Sequence, residues 1–417
     1  LPQISIPQVF TGLFFTTSLL ALFAPKGLAL WFALFGFLSF IQAPGNLKHL
    51  LRNHPLGLVI AVGLALGFAS VAWSQTPGRT AHIAAILTIT SLAALYFFNA
   101  MKQAAASGSC IGGAIVAAGW IGVALFGFEI ATDLFLKSFV SELTGGKPLG
   151  LSYQGHVIKP GLSFFAMLLW PAVLIQYKRR GLRFALTMLG LGTFVLFLGP
   201  SMTVQIAAGV SLTVALLVYW LHGTGIKILG VLAVLGTLAA PLLPAQLPDP
   251  LKPRVSESMT ALPHSALHRI VIWQNTARLI QDAQVLGHGL DTSRSFYGSN
   301  DIRKYVYFPD KPDHRWVGEF QPIPLHPHNG ILQVWLELGG AGALILACLF
   351  LAILWSIARR LPSQVDQAVS AGLLTSVVCI VCLGFGIWQN WLLGAWIIAA
   401  GACIYANSAP ADGAHEK

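Results

Sequence analysis

The sequence predicts an all-α integral membrane protein, with about 12 transmembrane helices and one large outer loop that itself contains helix. Three observations carry that prediction. Hydrophobic residues fill 55% of the 417 positions and charged residues only 10%, whereas an ordinary soluble domain carries roughly 25% charged residues. So few charges cannot coat a water-soluble globule, which excludes a cytosolic enzyme, a disordered chain and a disulfide scaffold. Apolar runs near 8–23, 27–43, 56–73, 80–98, 108–136, 160–177, 182–199, 201–220, 225–243, 329–357, 367–387 and 389–406 supply the spans. Finally, the interval 244–328 concentrates polarity, with nine basic residues, eight acidic ones and six of the twelve histidines. The chain therefore divides into spans one to nine over 1–243, a loop domain over 244–328, and spans ten to twelve with a short tail over 329–417.

Taken in order, the first two spans are short enough to be partly interfacial. The apolar run is read as a span and not as a cleaved signal, because many others follow it. The run 108–136 is long enough to tilt or break. Glu129 and Asp133 share one face there, either as a polar pathway through the membrane or as a cap at the outer helix end near Lys137. With the N-terminus inside, the cytoplasmic connections hold ten Lys and Arg and the short outer ones five, a positive-inside pattern. The net charge of +10 thus speaks of topology and not of nucleic acid. The five cysteines lie in apolar runs and read as small hydrophobes, the Cys379-x-x-Cys382 pair included.

The outer loop opens with a stiff run of prolines, Pro241 to Pro253. A helix follows over 265–284, with Ser265 as N-cap and Leu267, Ile270, Val271 and Ile280 on its apolar face. Gly287 and Gly289 end it. A loop dotted with Tyr305, Tyr307, Phe308 and Trp316 then runs to Pro322 and Pro324. Those aromatics suit either a sugar surface or a membrane interface.

The sharpest feature is LHPHNGILQVWLELGGAGALI over 325–345, where the loop dives into the tenth span. His328 or Asn329 begins that helix, whose N-terminus attracts anions and disfavours an imidazolium. A neutral His328 can take a proton from a hydroxyl; the other reading is an anchor at the interface. A metal held by His326 and His328 lacks further ligands at diagnostic spacing, since Asp313, His314 and Glu319 show none. Glu337, nine residues on, faces away from His328 and packs against another span. Arg269 and Trp273 sit one turn apart on the loop helix, and the arginine there suits a diphosphate or a surface ion pair. Arg278, Arg294, Arg303 and Arg315 share that ambiguity, as do Arg79 and Lys159 at the rim of the bundle.

The run from His326 to Ile345, together with Arg269-x-x-x-Trp273 and Gly287-His288-Gly289, resembles the signature of the O-antigen ligase/polymerase superfamily. The resemblance covers about 265–345 in sequence and the rest in architecture only. It implies a metal-independent, cofactor-free glycosyltransferase of the bacterial inner membrane, with its site on the periplasmic face. The donor would be a glycan on undecaprenyl pyrophosphate and the acceptor the lipid A–core oligosaccharide. By the same resemblance His328 activates the acceptor hydroxyl, Arg269 binds the diphosphate, and His326 matches a second histidine of some members. Arg79, Lys159, Arg294, Arg315 and Trp273 complete the expected substrate-binding set. Many ligases carry a further arginine at the outer start of the eighth span; Met202 stands there in this chain, with Arg79 and Lys159 as substitutes. The same signature occurs in O-antigen polymerases and protein O-oligosaccharyltransferases. A non-enzymatic transporter is the competing class, but paired interrupted spans with charge at the midplane are missing from the sequence.

Overall fold

The computed structural model describes residues 6–42, 56–151, 155–250, 264–296, 303–307, 316–320, 323–361 and 363–409, with backbone only for the two strands. The first helices are α1 (Ile6–Phe23), α2 (Leu28–Gln42), α3 (Leu56–Ala69), α4 (Pro77–Ala106), α5 (Ile111–Ala131) and α6 (Phe135–Leu143). After them come α7 (Lys159–Arg180), α8 (Leu182–Leu198), α9 (Met202–Leu221), α10 (Gly223–Leu238) and the short α11 (Leu243–Gln246). The polar interval contributes α12 (His264–Asp282), β1 (Arg303–Tyr307) and β2 (Trp316–Phe320), and the chain closes with α13 (Gly330–Arg360), α14 (Gln364–Leu383) and α15 (Asn390–Ser408).

Among the described residues eight helices are long and apolar enough to cross a membrane, or nine if α10 and the segment bent from it by 56° form one span. Three further apolar helices, Pro7–Phe23, Leu56–Ala72 and Leu182–Leu198, are shorter. The eight helices, the bent pair and the three shorter ones coincide with the twelve apolar runs of the sequence, and eight or nine of them reach spanning length.

The pillar of the bundle is α7, buried without interruption from Gly161 to Gln176 and packed against α1, α5, α8, α9, α14 and α15. Its two lysines mark opposite ends. Lys178 pairs with Asp366 at 3.3 Å and donates to the Ala406 carbonyl at 2.9 Å, whereas Lys159 lies 19 residues earlier, roughly 28 Å away along a helix. The apolar run 108–136 breaks. Asp133 and Leu134 adopt φ of +54° and +68°, and Glu129 accepts from the Leu136 and Lys137 amides at 2.8 and 3.1 Å. Glu129 thus caps the N-terminus of the next helix, α6, and not the outer end of its own helix as the sequence suggested. Asp133 accepts from the Leu151 amide at 2.7 Å.

In the polar interval, α12 matches the predicted helix, but it begins at His264, so Ser265 lies inside the first turn and not at the N-cap. Where the sequence predicts an irregular loop, β1 and β2 pair antiparallel, with Arg303 opposite Phe320 and Tyr307 opposite Trp316. The β-favouring content of RKYVY and WVGEF accounts for the hairpin, and their brevity hid it.

The decisive local event is a break in α13 at Gly339 (φ +62°, ψ −160°). It frees carbonyls above and amides below, and the segment after α12 takes up both sets. The His288 and Gly289 amides donate to the Leu336 and Glu337 carbonyls at 3.0 and 2.8 Å. In return, the Gly340 and Ala341 amides donate to the Gln284 and Val285 carbonyls at 2.7 and 3.1 Å. Four backbone groups that lipid could not satisfy are paired this way. The close approach needs glycine on both sides: a Cβ on Gly287 would meet the Glu337 backbone, and one on Gly339 the Val285 backbone. Gly339→Ala combines that collision with a left-handed φ, so we expect a clear fall in the melting midpoint of the purified protein, by the equivalent of at least about 1–2 kcal/mol. Gly340→Ala, whose Cβ meets nothing closer than 3.4 Å, should fall by much less. Equal melting of the two variants would contradict this account of the break.

Candidate active site

The docked segment, the head of α13 and the α14–α15 turn converge at the end of the bundle that carries Lys159. Asn329 is the N-cap of α13 and accepts from the Ile331 and Leu332 amides, each at 3.1 Å. That arrangement typically stabilises a helix by about 1 kcal/mol. His328, just before it, sits at φ +53°, a conformation that a non-glycine residue holds only when its surroundings impose it.

Those surroundings are specific. The His328 ring nitrogen Nδ1 lies 3.1 Å from the Gly384 carbonyl. A carbonyl can only accept, so Nδ1 carries the proton and Nε2 of the neutral ring is left with its lone pair. The His328 amide donates to His326 Nδ1 at 3.2 Å, which by the same logic leaves the proton of neutral His326 on Nε2. The two rings stand 4.2 Å apart at 60°. Trp273, on α12, donates its indole N–H to the Pro327 carbonyl at 3.1 Å and so pins the residue between the two histidines.

Both imidazoles are held uncharged. Burial pushes His328 down to about 4; nearby Arg269, Lys159 and His268 add to the shift, and the Gly384 hydrogen bond opposes it. For His326, burial followed by His328, Arg294 and Lys159 lowers the value to about 3. Burial also lowers Arg269, whose Nη1 donates to the Ser265 carbonyl at 3.3 Å. Lys159 stacks over the Phe385 ring at 4.8 Å. Among the described residues, neither Arg269 nor Lys159 pairs with a carboxylate.

Lys159 also stands beside the first turn of α9. A Cβ built on Gly384 would lie 3.7 Å from Lys159 Cε and 3.2 Å from Thr203 Cγ2, and Thr203 follows Met202. Thus Arg269, Lys159, His326, His328 and Trp273 gather at one site. Arg79 and Arg294 are committed elsewhere, to the buried Asp291, at 2.6 and 3.5 Å, although the Arg294 charge still reaches His326. Arg315, with Phe308, Asp313 and His314, lies outside the described residues. Among the described residues no three His, Cys, Asp or Glu side chains are grouped to hold a metal.

Sequence reasoning did not single out the α14–α15 turn. Its contribution is a backbone carbonyl, Gly384, which carries no side-chain signature. The glycines of GFGIWQN (384–390) were the available hint.

Neutral histidines favour the folded state only while they stay neutral. Their stabilising contribution is complete above the unfolded value near 6.5 and is lost as the pH falls toward about 4 for His328 and about 3 for His326. We expect the melting midpoint to fall between pH 6.5 and 4, and to fall less in a His326→Gln/His328→Gln variant. An identical drop in both proteins would show that the imidazoles are not held neutral by the fold.

Residues 184–347 match the family described as O-antigen ligase. A Rickettsia conorii protein named "Putative polysaccharide ligase" is 27% identical over 278 residues, which are 66% of this chain and 64% of that protein. A similarly named Rickettsia felis protein is 26% identical over 66% of this chain and 65% of its own length. The Rickettsia typhi relative reaches 33% identity over 175 residues, covering 41% and 40% of the two chains. This chain therefore spans slightly less than two thirds of the relatives it matches at greatest length.

Proposed function

The match over residues 184–347 and the polysaccharide ligase relatives support membership of the O-antigen ligase superfamily, and on that premise we propose that this protein is an O-antigen ligase. It transfers a glycan from undecaprenyl pyrophosphate to the lipid A–core oligosaccharide at the periplasmic face of the bacterial inner membrane. The observation that carries the reading is the pair Arg269 and Lys159, without a carboxylate between them among the described residues, beside two uncharged imidazoles. Two adjacent cations repel each other and are desolvated, so an anion of two charges or more is the ligand that relieves them.

In this reading the acceptor hydroxyl attacks the anomeric carbon, the carbon–oxygen bond to the diphosphate breaks, and the hydroxyl proton passes to His328 Nε2. The Gly384 carbonyl holds the tautomer that leaves Nε2 free to receive it. Charge accumulates on the departing diphosphate, and Arg269, Lys159 and the α13 N-terminus stabilise it more in the transition state than in the bound donor. Arg269 supplies a planar fork for two phosphate oxygens, and Lys159 a point charge. Lys159, on α7, takes the place of the arginine expected near Met202, because it lies beside the first turn of α9. His326 offers an Nε2–H to the sugar or the diphosphate. Neither metal nor cofactor is assigned a role.

The test is transfer by purified protein in nanodiscs, supplied with lipid-linked glycan and lipid A–core, without ATP. Wild type should place glycan on lipid A–core, and His328→Ala should abolish transfer while inserting normally. Arg269→Lys should lose roughly ten- to a hundredfold in rate, the worth of a charge-assisted bidentate contact. Wild-type-like transfer by His328→Ala would remove it from the chemistry. Lengthened lipid-linked chains would assign a polymerase instead, and absence of any product from the wild type would favour a transporter.

A further inference from the structure

Behind the histidines lies a buried carboxylate that the proposed chemistry does not use. Glu337 is fully buried, in the segment of α13 above the Gly339 break, and accepts from four donors, two on each oxygen. Ser293 Oγ–H and Gln333 Nε2–H reach Oε1 at 2.5 and 3.0 Å. The Asp291 amide and Trp388 Nε1–H reach Oε2 at 2.8 and 2.5 Å. Gln333, also buried, uses its other end to accept from the Ile387 amide at 3.1 Å.

The donors come from three separate segments, and all three border the site. Asp291 and Ser293 precede Arg294, whose charge His326 feels. Gln333 belongs to the first turn of α13, next to His328. Ile387 and Trp388 lie in the α14–α15 turn, which also presents the Gly384 carbonyl to His328 and packs Gly386 against the His326 ring, where a Cβ would stand 3.1 Å from Cγ. Desolvating a carboxylate and an amide costs free energy that well-packed apolar residues would not require. Four donors directed at one group fix geometry more tightly than apolar packing does.

We propose that Glu337 and Gln333 are positioning residues for glycan transfer. They clamp the 384–388 turn from behind, the turn fixes His328 Nδ1–H, and Nε2 is thereby aimed at the acceptor hydroxyl. This rests on the reading of His328 as the proton acceptor. Glu337 touches no substrate in this scheme, and its effect reaches the reaction through the turn alone. Among the described residues no hydrogen bond runs from the network to Arg269 or Lys159; Lys159 meets the turn at the Phe385 ring, but its backbone is set by α7, so donor binding depends on the network far less than turnover does.

Three variants test the clamp in nanodiscs. Gln333→Met cuts the relay to Ile387 and leaves Glu337 three donors; Trp388→Phe removes one indole N–H; Glu337→Gln disturbs the whole cluster and is the one at risk of not folding. For Gln333→Met and Trp388→Phe we expect turnover at saturating donor to fall roughly ten- to a hundredfold, as a misplacement of about 1 Å produces. The KM for donor and the affinity for undecaprenyl diphosphate should change far less than turnover does. Nitrogen-15 NMR of the histidines should show His328 losing its single Nδ1–H tautomer. Wild-type turnover in both variants overturns the proposal. So does a parallel loss of turnover, diphosphate binding and melting midpoint, which marks general fold support. His328→Ala separates the two levels: if it retains transfer, the underlying reading fails; if it is dead while Gln333→Met and Trp388→Phe are normal, only the clamp fails.

Discussion

Two cations, Lys159 and Arg269, face an uncharged imidazole pair with no carboxylate of the described residues set between them. Like charges brought together and stripped of water are unfavourable, and a fold tolerates them where a ligand of opposite charge completes the arrangement. Everything else at this end of the bundle serves that juxtaposition. The N-terminal turn of α7 carries the lysine, α12 of the polar interval carries the arginine, and the head of α13 carries the histidines.

The juxtaposition is built by a break and its repair. An unbroken α13 would expose no backbone to the loop; the Gly339 break does, and the 284–289 segment pairs with what it exposes. This anchors the loop to the membrane bundle through main-chain hydrogen bonds, which a low-dielectric setting strengthens. With the loop fixed, α12 lies where Trp273 can hold Pro327 and Arg269 can influence His328. Below them, Glu337 joins the same segment to the α14–α15 turn. Asp291 ties Arg79 and Arg294 into that framework, which explains why those arginines are not beside Arg269.

Much of this was legible in the sequence, for physical reasons. Hydropathy reveals apolar runs, so the membrane bundle and the polar outer interval are plain. Local physics left His328 open to an interface anchor and Arg269 to a surface ion pair, and the resemblance of the 265–345 motifs is what singled them out. Glu337 was expected to pack against another span; instead it is bonded to Asp291 and Ser293 of the polar interval and to Trp388 of the α14–α15 turn. Hidden from the sequence were contributions made by backbone: the Gly384 carbonyl and the break at Gly339. Hidden too was the choice of cation, because Lys159 and Arg79 look alike on paper and only the fold commits Arg79 to Asp291. The β1–β2 hairpin was missed because five-residue strands carry too little alternation to separate from a loop.

The central claim is most directly tested by the affinity of the purified protein for undecaprenyl diphosphate, against undecaprenyl monophosphate as control. If Lys159 and Arg269 together form the anion seat, the diphosphate binds wild type more tightly than the monophosphate. A Lys159→Gln/Arg269→Gln variant then loses that preference, by at least roughly tenfold, the scale of one charge-assisted contact. Equal affinity of wild type and variant for the diphosphate would contradict the account.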